Sequence, residues 1–88
     1  MFEWDEAKRR INLGKHHLDF RDSRLAFDGR PAVHVPSHRM GEPRFVTVAA
    51  IGGRLYSVVR TWRGLNRRLI SFRRSRHGEE KAYRQIYG

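Results

Sequence analysis

Residues 44–74, RFVTVAAIGGRLYSVVRTWRGLNRRLISFRR, carry the pattern from which the architecture is built. Successive side chains of a strand point to opposite faces, so runs of period two separated by turn residues predict antiparallel strands joined by tight hairpins. Over 44–51, Val46, Val48 and Ala50 share one face. Gly52-Gly53 then supplies the positive φ that the favoured two-residue hairpin turns require. Residues 54–62 and 67–74 continue the meander around Gly64 and Asn66. Strict alternation over 67–74 places Arg68, Ile70, Phe72 and Arg74 on one side and Arg67, Leu69, Ser71 and Arg73 on the other. Ile70 and Phe72 mark the first side as core, which leaves Arg67, Ser71 and Arg73 on an open face and Arg74 at a strand end, able to turn either way.

Before this block, 32–36 reads as a weak edge strand bounded by proline, and DGRP from Asp28 as a turn. The segment 4–17, WDEAKRRINLGKHH, reads as a first helix: Asp5 caps it, Glu6 suits its positive end, and Trp4, Ala7 and Ile11 have helical apolar spacing. Gly14 is expected to end or bend it. A second stripe of that helix, Lys8, Asn12, Lys15 and His16, is polar and at the right spacing to face a site. Asp19 caps a short second helix that buries Phe20 and Phe27. After the strands, 79–87 reads as a C-terminal helix with Ala82, Tyr83, Ile86 and Tyr87 on its apolar side. The predicted fold is α+β: two N-terminal helices, an antiparallel sheet of about four strands and a C-terminal helix.

A chain of 88 residues with 39% hydrophobic content fills one core, so 1–88 is expected to be a single domain. The absence of cysteine removes disulfides, thiol nucleophiles and thiolate metal sites and fits a reducing, cytoplasmic setting. No uncharged stretch approaches the roughly 20 apolar residues of a membrane span, and the acidic start MFEWDE is not that of a signal peptide, so no membrane association is expected.

Charge is the strongest compositional feature: 19 basic against 9 acidic residues, net +10. Sixteen of the nineteen are arginine, whose planar fork of donors matches phosphate oxygens. Between Glu42 and Glu79 there is no acidic residue but nine arginines: Arg44, Arg54, Arg60, Arg63, Arg67, Arg68, Arg73, Arg74 and Arg76. Such a surface repels itself unless a polyanion or an acidic protein covers it.

Several residue sets bear on chemistry. His34 and His38 are four apart, but Pro36 between them prevents the helical convergence a metal pair needs, and no metal or other cofactor is expected. Lys15-His16 can combine proton transfer with phosphate neutralisation, or merely complement a helix end. Arg73 and Arg74, with Arg63 in the preceding turn, can clamp a phosphate or solvate a strand end. Phe45, Tyr56 and Trp62 lie among the arginines either as base-stacking residues or as core.

Three ordered blocks, FEWDEAKRRINLGKHHLDF, RFVTVAAIGGRLYSVVRTWRG and RRLISFRRSRHGEEKAY, resemble the BrnT toxins of type II toxin-antitoxin systems across nearly the whole chain. Phe72 and Ser75 stand where that family usually has alanine, and His17 where it commonly has glycine. The resemblance implies a RelE-like ribonuclease that cleaves RNA to arrest translation and is neutralised by a BrnA-like antitoxin. The partner is expected in a hetero-oligomer that binds operator DNA through the antitoxin. Arg63, Arg73 and Arg74 are then the expected phosphate-stabilising residues, Lys15 assists them, and His16 transfers protons with Glu42 and Tyr83 in reserve. Arg44, Arg54, Arg60, Arg67 and Ser71 are expected to bind RNA. The alternative is a non-catalytic basic RNA-binding or ribosome-associated module using the same residues, and a further one is a surface for an acidic protein.

Overall fold

A computed structural model describes residues 1–39 and 42–88, with the backbone alone described at His38, Arg39 and Glu42. Asp5 starts the first helix, α1 (Glu6–His16), by accepting from the amides of Ala7 at 2.8 Å and Lys8 at 3.3 Å. The chain passes through Gly14 without interruption and stops at His17, whose φ of 57° lets its amide reach the Leu13 carbonyl at 2.9 Å. The face that α1 buries differs from the expected one. Ile11 is 68% exposed and Ala7 is exposed, whereas Asn12 is buried. The second helix forms where expected, as a 3-10 helix (Phe20–Phe27) capped by Asp19.

The strands are β1 (Phe2–Glu3), β2 (Ala32–Arg39), β3 (Glu42–Ile51), β4 (Arg54–Arg63) and β5 (Asn66–Arg74), and the chain ends in α2 (His77–Tyr87). They form one sheet in the order β1-β5-β4-β3-β2. The last four strands are an antiparallel meander, and β1 adds a short parallel strand beside Arg67 and Arg68. Among the described residues the sheet is therefore mixed and five-stranded; β1 was not expected because two residues are too few to show a period in sequence.

The larger departure lies in β5. Val59 pairs with Ser71 and Arg60 with Leu69, so Ile70 is an extra residue, a β-bulge that reverses the alternation. Leu69 and Phe72, three apart, both enter the core at 1% and 2% exposure, where strict alternation puts them on opposite sides. They pack with Phe20, Ala26, Ala49 and Val58 under the 3-10 helix, each large side chain contributing about 1.5–3 kcal/mol. Arg67 shares that side of the sheet, while Ser71 and Arg73 point to the other. Phe72 thus fills the core, its ring 5.9 Å from that of Tyr56.

α2 covers the second face only partly, against β2 and β3, and none of its residues is buried. Ile86 and Tyr87, expected on its packed side, are 66% and 47% exposed.

Candidate active site

The second face of the sheet carries a cleft of about 370 Å³ between the C-terminal end of α1 and the N-terminal end of α2. Its walls are Lys15 and His16 from α1, Arg44 from β3, Ser71 and Arg73 from β5, and Arg76 and Glu79 at the start of α2, with Ser37, Val46, Val59 and Ile70 completing the floor. Ser71 and Arg73 face the cleft by alternation from Phe72, and the bulge adds Ile70 to the same side while returning Leu69 to the core.

Asn12 fixes α1 to the sheet. β1 pairs only with Arg67 and Arg68, so farther along β5 the edge has backbone groups that no strand satisfies. The Asn12 amide replaces the missing strand: its Oδ1 accepts from the Phe72 amide at 3.0 Å, and its Nδ2 donates to the Phe72 carbonyl at 2.8 Å and to the Leu18 carbonyl at 3.0 Å. Lys15 and His16, one turn farther along α1, are thereby held beside Ser71 and Arg73.

Arg73 is a buried guanidinium with an explicit partner. Its two terminal nitrogens donate to the two oxygens of Glu79 at 2.7 and 2.8 Å, with side chains 11% and 18% exposed. Glu79 also accepts from the Arg76 amide at 2.8 Å and from the Ser57 hydroxyl at 2.9 Å. Burial alone pushes this carboxyl up; the Arg73 fork, the Arg76 amide and the Ser57 hydroxyl outweigh it and bring the pKa to about 2. His16 moves the other way: burial first, then the charges of Lys15, Arg73 and Arg76, hold it below the ordinary histidine value. At neutral pH its ring is uncharged and able to accept a proton.

Of the residues singled out in sequence, the cleft brings together Lys15, His16, Arg44, Ser71 and Arg73. Arg63 is exposed at the far end of β4, opposite Asn66. Arg74 lies on the core side of the sheet, its guanidinium 5.6 Å from the Tyr56 ring centroid, and so does not join Arg73 in a clamp. Tyr83 packs on Tyr87 with ring centroids 5.1 Å apart and does not line the cleft. Arg54 is exposed beside the Gly52-Gly53 turn. Arg60 and Arg67 are on the opposite face. The side chain of Glu42 lies outside the described residues.

Arg76, Glu79 and Ser37 were not singled out in sequence for the site. Of these only Glu79 matches part of a known signal, the glutamate of a capping box, and its partner position holds Arg76 where that signal needs serine or threonine. Ser75, at one of the alanine positions of the resembled family, bonds Ser57 at 2.7 Å beside this pair. Among the described residues no three histidine, aspartate or glutamate side chains converge as metal ligands.

These features define a small, strongly basic α+β domain with a cationic cleft, in which a neutral histidine sits beside a lysine and an arginine-carboxylate pair. The family model for the BrnT ribonuclease toxin of type II toxin-antitoxin systems matches residues 4–79, and the chain belongs to that family. Every residue of the cleft falls within the matched span. No curated protein matches the chain. No helix among the described residues is long and apolar enough to cross a membrane.

Proposed function

We propose that this toxin is an endoribonuclease that cuts RNA in the α1–β5–α2 cleft by the attack of the substrate's own 2′-hydroxyl, without a metal ion, and thereby arrests translation. The observation that carries the reading is the approach of Lys15-His16 to Ser71 and Arg73 across one cleft. Neutral His16 takes the proton from the 2′-hydroxyl, whose oxygen attacks the adjacent phosphorus. The P–O5′ bond breaks, leaving a 2′,3′-cyclic phosphate on one fragment and a 5′-hydroxyl on the other, with the Lys15 ammonium giving the departing oxygen its proton. Arg44, Arg73 and Arg76 stabilise the extra negative charge of the pentavalent phosphorus, a role in which one donor is worth about 100-fold or more in rate. Glu79 holds the Arg73 fork in one orientation, so its donors are placed before the substrate arrives.

A BrnA-like antitoxin neutralises the enzyme in a hetero-oligomer and brings the pair to operator DNA. The test of the catalytic reading is single-turnover cleavage of an RNA oligonucleotide by the parent protein and by His16→Gln, each with its affinity for the RNA measured separately. Loss of cleavage by about 100-fold with unchanged affinity is expected for a proton-transfer residue. Binding without cleavage by the parent would instead favour a basic RNA-binding module.

A further inference from the structure

On the sheet face opposite the cleft, Arg60 and Arg67 form a second cationic feature. Neither makes an ion pair among the described residues. Arg60 is 6% exposed; its Nε donates to the Thr47 hydroxyl at 3.1 Å and one terminal nitrogen reaches His34 Nδ1 at 3.4 Å, leaving the other without a partner. The Nε of Arg67 is also buried and unpartnered. Aromatic rings cover both groups. The central carbon of Arg60 lies 5.5, 5.1 and 5.7 Å from the ring centroids of Phe27, Phe45 and Trp62, and that of Arg67 lies 4.8, 5.1 and 5.7 Å from those of Phe27, Trp62 and Phe2.

Sharing Phe27 and Trp62 brings two like charges together. Ring faces offset part of that repulsion, but they do not satisfy N–H groups at the guanidinium edges, and an unmet buried donor costs about 1–3 kcal/mol. A recess of about 210 Å³, lined by Ala26, Phe27, Arg30, Ala32, His34 and Arg67, opens beside Arg67, with Arg60 behind the His34 ring that forms part of its wall. Because His34 Nδ1 accepts from Arg60, the ring proton is assigned to Nε2, which makes a further donor. Close by, Trp62 is 47% exposed, Leu65 in the β4–β5 turn is 91% exposed, and Met1, whose carbonyl accepts the Arg67 amide at 2.8 Å, is 92% exposed.

We propose that this recess is a docking site for a protein partner that inserts one carboxylate side chain against Arg67 and His34, next to Arg60, and packs flanking apolar residues on Trp62, Leu65 and Met1. Size favours a side chain: a carboxylate on a narrow methylene stem enters a recess of about 210 Å³, whereas a phosphodiester carries a sugar on each side. Composition points the same way, since Leu65 and Met1 offer a nucleic-acid backbone nothing, while an apolar rim around a charged centre is the anatomy of a stable protein interface. The choice of probe rests on the family's type II character, which implies a protein antitoxin.

The experiment titrates the co-encoded antitoxin into the purified toxin by calorimetry, using the parent, Arg67→Gln, Leu65→Asp and the control Lys81→Gln on α2. Melting curves accompany each, and Leu65→Asp, in an exposed turn, keeps the test sound if Arg67→Gln fails to fold. Arg67→Gln should weaken antitoxin binding by about 30-fold or more and Leu65→Asp by about 10-fold, with Lys81→Gln unchanged. Single-stranded RNA affinity of Leu65→Asp should equal the parent's. Unchanged antitoxin affinity in the folded recess variants overturns the proposal. So does a loss confined to RNA affinity, which would make the recess an RNA subsite. Failure of the parent to cut RNA would overturn the catalytic reading and leave this readout standing.

Discussion

Asn12→Ala removes the side chain that substitutes for a strand at the open edge of β5. Three backbone groups lose their partners, the amide and carbonyl of Phe72 and the carbonyl of Leu18, bonded now at 3.0, 2.8 and 3.0 Å. An unsatisfied buried group costs about 1–3 kcal/mol, and water entering from the cleft relieves part of it, so the expected loss is about 2–4 kcal/mol. A domain of this size has about 4–13 kcal/mol in total, at about 0.05–0.15 kcal/mol per residue. With about 4–8 °C per kcal/mol for domains of this size, the thermal midpoint should fall by roughly 8–32 °C. Urea unfolding of parent and variant reads the free energy, and a calorimetric scan reads the midpoint. Asn12→Asp keeps an acceptor for the Phe72 amide but loses both donations, so it should be destabilised too. Well below its midpoint Asn12→Ala should also cut RNA at least about 10-fold more slowly, because Lys15 and His16 are no longer held beside Arg73. A stability loss under about 0.5 kcal/mol would show that α1 is held by something other than this amide.

Three further outcomes follow from the site. Cleavage by the parent should fall as pH drops through the pKa of His16, which burial and then Lys15, Arg73 and Arg76 place below the ordinary value of about 6.5, so a pH-rate profile with its acid limb above that value would contradict the base assignment. Glu79 has a folded-state pKa of about 2 against 4.5 when unperturbed, so its stabilisation is present above pH 4.5 and is lost as pH falls towards 2. At about 1.4 kcal/mol per pH unit that is at most about 3.5 kcal/mol, and solvent access at the cleft mouth reduces it to about 1–2 kcal/mol; acid titration of unfolding in the parent but not in Glu79→Gln should show it. RNA affinity should fall with salt with a log-log slope of about 0.7 for each phosphate neutralised, about 2–3.5 for a footprint of three to five phosphates, and a flat dependence would remove the electrostatic basis of the site.

Much of the architecture was legible because it is local or periodic. The Gly52-Gly53 hairpin, the Asp5 and Asp19 caps and the alternation of Val46, Val48 and Ala50 each follow from a rule that needs only a few adjacent residues. The bulge at Ile70 was not, because one inserted residue leaves composition unchanged while reversing every side chain beyond it. That single reversal explains why Leu69 joins Phe72 in the core, why Ile70 faces the cleft beside Ser71, and why Arg67 is found among aromatic rings. The stripe on α1 was legible, and it brings Lys15 and His16 to the cleft, but Asn12 in the same stripe became the anchor, since its partner is a backbone sixty residues away. Glu79 illustrates a different limit: the sequence marks it only as the start of the C-terminal helix, because its bond to the Arg76 amide and its pairing with Arg73 depend on the folded structure.

Product analysis is the measurement on which the cleavage account stands or falls. An end-labelled RNA is incubated with the purified toxin in excess chelator, beside the same RNA carrying a single 2′-deoxy substitution at the mapped cut position. The account predicts cleavage in chelator, a 2′,3′-cyclic phosphate on the 5′ fragment, a 5′-hydroxyl on the 3′ fragment, and an intact deoxy substrate. Cleavage that chelator abolishes, or that leaves a 3′-hydroxyl and a 5′-phosphate with the deoxy substrate cut equally well, would contradict it.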